Sequence, residues 1–239
     1  MKKLALLLFF VMTAFCALGA AEVFFIPGWY SEWIIYSKHT RTLETLFPQS
    51  KVNVCKWDSN RLWKNAKISA GEFAREFSSG LLTQKNTENV ILIGHSLGGR
   101  IVLDTAAELA KQKRKVRRLI LLGTAGRMSE ADVKNCQQIS ILPVVNIYCP
   151  DDNLLKLYLH KEKHPPLGYA GLPEKIPHFQ QYRMKVPDND IKVGKVTVIK
   201  AETAEFFRET SAHLAKKYLQ ILAMALAGEI GEDYPSETP

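Results

Sequence analysis

The chain has 239 residues, 46% of them apolar, and a formal charge of +8. That composition suits one α/β domain with a sizeable core and excludes a disordered or fibrous chain. No zinc-finger, RNP or basic-zipper pattern accompanies the positive charge, so nucleic acid is not an expected partner.

Residues 1–19 stand apart. "MKK" is a basic start, "LALLLFFVMTAFCAL" an apolar stretch, and "ALGA" supplies small residues for cleavage. Together they form a secretory signal peptide, with the cut expected after Gly19 and with Ala20 as the neighbouring choice. Residues 20–239 are then a single domain exported to a periplasmic or extracellular compartment. Peripheral membrane contact is expected if the leader stays in place. Loss of Lys2 and Lys3 from the 32 basic residues leaves +6 against 24 acidic ones. The densest basic run, "KQKRKVRR" (111–118), follows a helix pattern, where cations complement the helix dipole.

In chain order, short apolar runs alternate with helix-length segments. The strand candidates are 22–26, 51–57, 89–94, 117–123, 144–149 and 178–186. Helix patterns fill 32–47, 65–82, 98–112, 129–138, 152–162 and 209–229. Runs such as "NVILIG" are apolar throughout, as strands covered on both faces must be. This alternation predicts a mostly parallel sheet with helices on both faces. "HPPLGYAGLPEKIP" (164–177) reads as a long loop. "KVTVIK", within 187–203, is either a hairpin extension or the true last strand. Of the four cysteines, Cys16 leaves with the leader; the mature Cys55, Cys136 and Cys149 form an odd set, compatible with one disulfide and a free thiol or with no disulfide. No His/Cys cluster has ligand spacing, so neither a metal nor another cofactor is expected.

The chemistry concentrates at "VILIGHSLGGRI" (90–101). Gly94-His95-Ser96-Leu97-Gly98 matches Gly-x-Ser-x-Gly, preceded by a buried-strand pattern and followed by a helix pattern. A sharp strand-to-helix turn holds a serine in a strained conformation with its Oγ projecting. Gly94 and Gly98 avoid Cβ clashes, and Gly99 lets the helix pack close. A lone serine is a weak nucleophile and needs a base oriented by an acid. After the strand 144–149, "PDDNLL" offers Asp151 and Asp152. Asp152 precedes the x-Leu-Leu that opens a helix and is the candidate acid; the other aspartate is then the helix N-cap. Among the histidines, His213 at the start of the last helix has the required order, Ser then acid then His. The oxyanion hole needs two backbone N–H groups. Leu97, directly after the serine, supplies one. The loop after the first strand, "PGWYSEW", supplies the other from Trp29 or Tyr30.

With "PGWY", "GHSLGG", "PDDNLL" and "SAHLAKKY" in this order, residues 22–228 resemble the α/β-hydrolase superfamily, lipase and esterase type. The resemblance implies a minimal sheet of about six strands that lacks the two upstream antiparallel strands. It also implies no large lid, because only a short segment joins the fourth and fifth strands. The chain departs from the family in having Pro-Gly rather than His-Gly in the oxyanion loop, and in the long interval between the acid and His213.

These readings make the protein a serine hydrolase acting on small-molecule or lipid carboxylic esters through Ser96, His213 and Asp152. Amide, thioester or acyl-transfer chemistry fits the same triad. A binding protein that retains the fold without catalysis is the reading from another class. Trp29, Tyr30, Trp57 and Trp63 are candidates for an apolar acyl or aryl pocket, or for packing against helices.

Overall fold

A computed structural model describes residues 20–30, 36–185 and 215–235. In chain order these form β1 (Glu22–Ile26), α1 (Tyr36–Leu46), β2 (Lys51–Val54), α2 (Trp63–Thr83), β3 (Val90–His95), α3 (Leu97–Lys111) and β4 (Arg118–Leu122). They continue as α4 (Glu130–Ile139), β5 (Val144–Tyr148), α5 (Asn153–Glu162), α6 (Leu167–Ala170), β6 (Phe179–Arg183) and α7 (Ala215–Leu226). The signal-peptide segment, residues 187–203 and His213 lie outside the described residues.

The strands form one sheet in the order β2-β1-β3-β4-β5-β6. Every neighbouring pair is parallel. This is the sheet that the resemblance implies, and the chain has the α/β-hydrolase fold. The link between β4 and β5 holds only α4, so no lid domain is inserted there.

The uniform apolarity of the central strands has a simple cause. Successive side chains point to opposite faces, and both faces are covered. Val90 and Leu92 of β3, with Leu119 and Leu121 of β4, join a core built with α2, α3 and α4. Ile91 and Ile93, with Ile120 and Leu122, join a second core built with α1 and α7. Polar residues on either face would have been buried without partners. Helix α2 presents Ala66, Ala70 and Ala74, all buried, along one face. These small side chains let it pack closely within the first core.

The chain leaves β1 toward β2, then returns to place β3 on the other side of β1. That reversal opens a crevice at the carboxyl ends of β1 and β3, where ligands bind in sheets of this kind. Strand β6 is shorter than expected at five residues. Its amino end carries His178, whose Nε2 lies 2.7 Å from the Ser140 carbonyl oxygen, at the edge opposite the crevice.

The segment 164–177 is not featureless. It contains α6 and folds onto the carboxyl edge. The Leu167 amide donates to the Gly126 carbonyl at 2.8 Å, and the Cys149 amide to the Gly168 carbonyl at 2.8 Å. The Gln181 side chain accepts from the Leu172 amide at 2.6 Å and donates to the Leu172 carbonyl at 3.2 Å, tying the loop's end to β6. Cys55, Cys136 and Cys149 are all free thiols. Among the described residues no helix is long and apolar enough to cross a membrane.

Candidate active site

Ser96 occupies the turn between β3 and α3 with φ +56° and ψ −124°. A non-glycine residue there costs about 1–3 kcal/mol and persists only where its surroundings impose it. Here they do. The Ser96 amide donates to the Leu122 carbonyl at 2.9 Å, and its own carbonyl accepts from Gly99 and Ala125, each at 3.0 Å. The turn is therefore held from its own helix and from the end of β4.

The surrounding glycines are required by space. A Cβ on Gly94 would stand 2.4 Å from the Gly98 carbonyl oxygen. One on Gly98 would stand 2.0 Å from the Ile26 carbonyl oxygen, and one on Gly99 2.2 Å from the Thr124 Oγ1. Gly98 thus admits β1, and Gly99 admits the loop after β4. Gly28, in the loop after β1, lies against the serine itself: a Cβ there would be 2.6 Å from the Ser96 Cβ and 3.1 Å from its Oγ. The "PG" of the first loop and the "GHSLGG" turn are thereby in direct contact.

The loop bearing Gly28 is propped from beneath. Trp57 is buried rather than lining the rim, and its indole N–H donates to the Pro27 carbonyl at 2.8 Å. The Tyr30 amide donates to the Ser59 carbonyl at 3.3 Å. Among the described residues, the Trp29 and Leu97 amides make no loop or cap hydrogen bond of this kind. The side chains of Trp29, Tyr30 and Trp63 pack on one another. Trp29 meets Tyr30 at 5.0 Å and Trp63 at 5.2 Å between ring centroids, and Trp63 meets Tyr158 of α5 at 5.2 Å. The Trp29 indole N–H donates to the Arg61 carbonyl at 2.7 Å, and that of Trp63 to Glu162 at 2.8 Å. These rings brace the loops after β1, β2 and β5.

Asp152 follows β5 and is fully buried, whereas Asp151 is exposed. The division of labour read from the sequence changes here, because Asp152 is itself the N-cap of α5. Its Oδ1 accepts from the amides of Leu154 and Leu155, each at 3.1 Å. Its Oδ2 accepts from the Tyr218 hydroxyl at 2.8 Å. Tyr218, on α7, was not singled out in the sequence, where it reads as one apolar position of an amphipathic helix. Its ring also meets His95 at 5.6 Å between centroids. His39 stacks on Phe25, with burial lowering its pKa. His213 cannot be placed relative to Ser96 and Asp152, as it lies outside the described residues. No group of three or more His, Cys, Asp or Glu suited to a metal occurs among the described residues.

Several solved structures are similar to this chain at low identity. BioJ, a virulence factor of Francisella, is 15% identical over 87% of this chain and 77% of its own, with a TM-score of 0.45. SOBER1 of Arabidopsis thaliana is 11% identical over 88% and 99%, with a TM-score of 0.45. An esterase of Pyrobaculum calidifontis is 12% identical over 87% and 76%, with a TM-score of 0.40. At such distances no residue role passes from them to this chain. No curated protein matches the sequence. Residues 38–175, more than half of the chain, match the family described as "Protein of unknown function (DUF726)", and the chain is a member of that family.

Proposed function

We propose that this protein is an exported serine hydrolase that cleaves carboxylic esters, lipid acyl esters included, through an acyl-enzyme. Ser96 attacks the carbonyl carbon. His213 takes the serine proton and returns it to the leaving alkoxide, and Asp152 orients His213. The amides of Leu97 and Trp29 hold the oxyanion; the Tyr30 amide is the weaker choice because Ser59 already engages it. Water then attacks the acyl-enzyme and regenerates the serine.

One observation carries this reading: a serine kept at φ +56° on a strand-to-helix turn, with Gly28 so close that a Cβ there would stand 3.1 Å from its Oγ. A plain turn needs neither the strain nor the close approach. Hydrolysis of p-nitrophenyl esters of graded chain length tests it. Wild type should turn over and react with a fluorophosphonate probe, while Ser96→Ala should lose at least about a thousandfold in kcat, the scale of a missing nucleophile. Equal activity of the two proteins sinks the assignment of Ser96. A folded wild type that the probe leaves unlabelled points to a binding protein instead.

A further inference from the structure

Tyr218 is the buried group that the triad does not account for. It is fully buried on α7, yet its hydroxyl reaches across the second core to the Asp152 Oδ2 at 2.8 Å. Its ring is fixed from two further directions. It tilts against His95, the residue before the serine, at 5.6 Å between centroids. It also covers Gly123, a residue at φ +52° where a Cβ would stand 2.5 Å from the tyrosine Cζ. One side chain therefore touches the ends of β3 and β4 and the acid that follows β5.

The direction of the hydrogen bond is fixed by chemistry. Burial, and then the negative charge of Asp152, push the Tyr218 phenol well above its ordinary pKa. It stays protonated and acts as a donor. A carboxylate offers about four lone-pair sites. The Leu154 and Leu155 amides occupy Oδ1, and Tyr218 occupies one site of Oδ2.

We propose that Tyr218 is a positioning residue, which fixes the plane of the Asp152 carboxylate so that it orients His213. This rests on the reading of Ser96 and Asp152 given above. The cap bonds alone hold Oδ1 but leave rotation about it; the phenol removes that freedom. In sequence, Tyr218 follows His213 by five residues. The same stretch of chain therefore carries both the base and the anchor for its acid.

Tyr218→Phe deletes only the hydroxyl and tests the proposal. kcat on a p-nitrophenyl ester should fall roughly tenfold to a hundredfold, the scale of a lost hydrogen bond to a charged group. KM should stay unchanged, and fluorophosphonate labelling of Ser96 should slow by the same factor. In an Asp152→Asn background, which keeps the cap acceptor, adding Tyr218→Phe should lower the labelling rate no further. A Tyr218→Phe protein with wild-type kcat and labelling overturns the proposal. So does an equal loss in both backgrounds, since that marks a packing effect. Labelling of Asp152→Asn at the wild-type rate overturns the reading of the acid, and the proposal with it.

Discussion

At the level of single residues, the constraint that bears most directly on the serine is the close approach of Gly28 to Ser96. The pattern of glycines around the serine was legible in the sequence because each one answers a local steric demand of the turn. Gly28 reads in the sequence only as part of the loop "PGWYSEW"; that it lies against the serine requires the fold. Gly28→Ala would place a methyl 2.6 Å from the Ser96 Cβ and 3.2 Å from the His95 carbonyl oxygen. We expect fluorophosphonate labelling to slow by at least about tenfold, the cost of a displaced reacting group. Melting should drop by only a few degrees, because the clash falls at the crevice and not in either core. An unchanged labelling rate would show that the loop can retreat without harm. Trp57 shows the opposite case. An aromatic residue at a strand end reads equally as rim or as prop, and only its bond to Pro27 decides.

Among the secondary elements, the central strands β3 and β4 were recognisable because burial on both faces leaves continuous apolar runs, Val90–Ile93 and Leu119–Leu122. Helix α6 was missed. Its four residues are too few to show a helical period, and its Pro-rich surroundings resemble a loop. The best-defined helix start is that of α4. Ser129 and Asp132 form a reciprocal capping box, and Asp132 also accepts from Arg100 of α3 at 3.0 and 3.1 Å. Burial opposes ionisation of Asp132, but the Arg100 guanidinium and the Ser129 donors outweigh it and hold the carboxyl below its usual pKa. A carboxylate depressed in the folded state adds stability above its unfolded pKa of about 3.9, and that part is lost as pH falls through the lower folded value. Asp132→Asn should therefore destabilise the protein at pH 7 by about 1–3 kcal/mol in urea unfolding. The gap between the two proteins should narrow below about pH 4. A gap that stays constant down to pH 2 would remove the ion pair from the account.

Across the whole molecule, the cysteines and the proposed triad histidine mark what a sequence leaves open. The three cysteines beyond the expected leader allowed a disulfide or none, because pairing depends on distances between elements. Folding separates them, and burial pushes Cys55, Cys136 and Cys149 each up to about 12. At pH 8 the native protein should react with Ellman's reagent far more slowly than the urea-unfolded protein, where all three respond. Rapid native reaction would contradict their protonation and burial. Tyr218 escaped the sequence for a related reason: its partner lies 66 residues away, and no local period reports a contact of that span. That separation has a consequence for how the protein comes into being. During synthesis Ser96 and Asp152 are both in place while the segment bearing His213 and Tyr218 has yet to be made. On the proposed triad, a nascent chain that has built the sheet from β1 to β6 would still hold a silent serine. Docking of α7 onto the second core would then be the event that arms it.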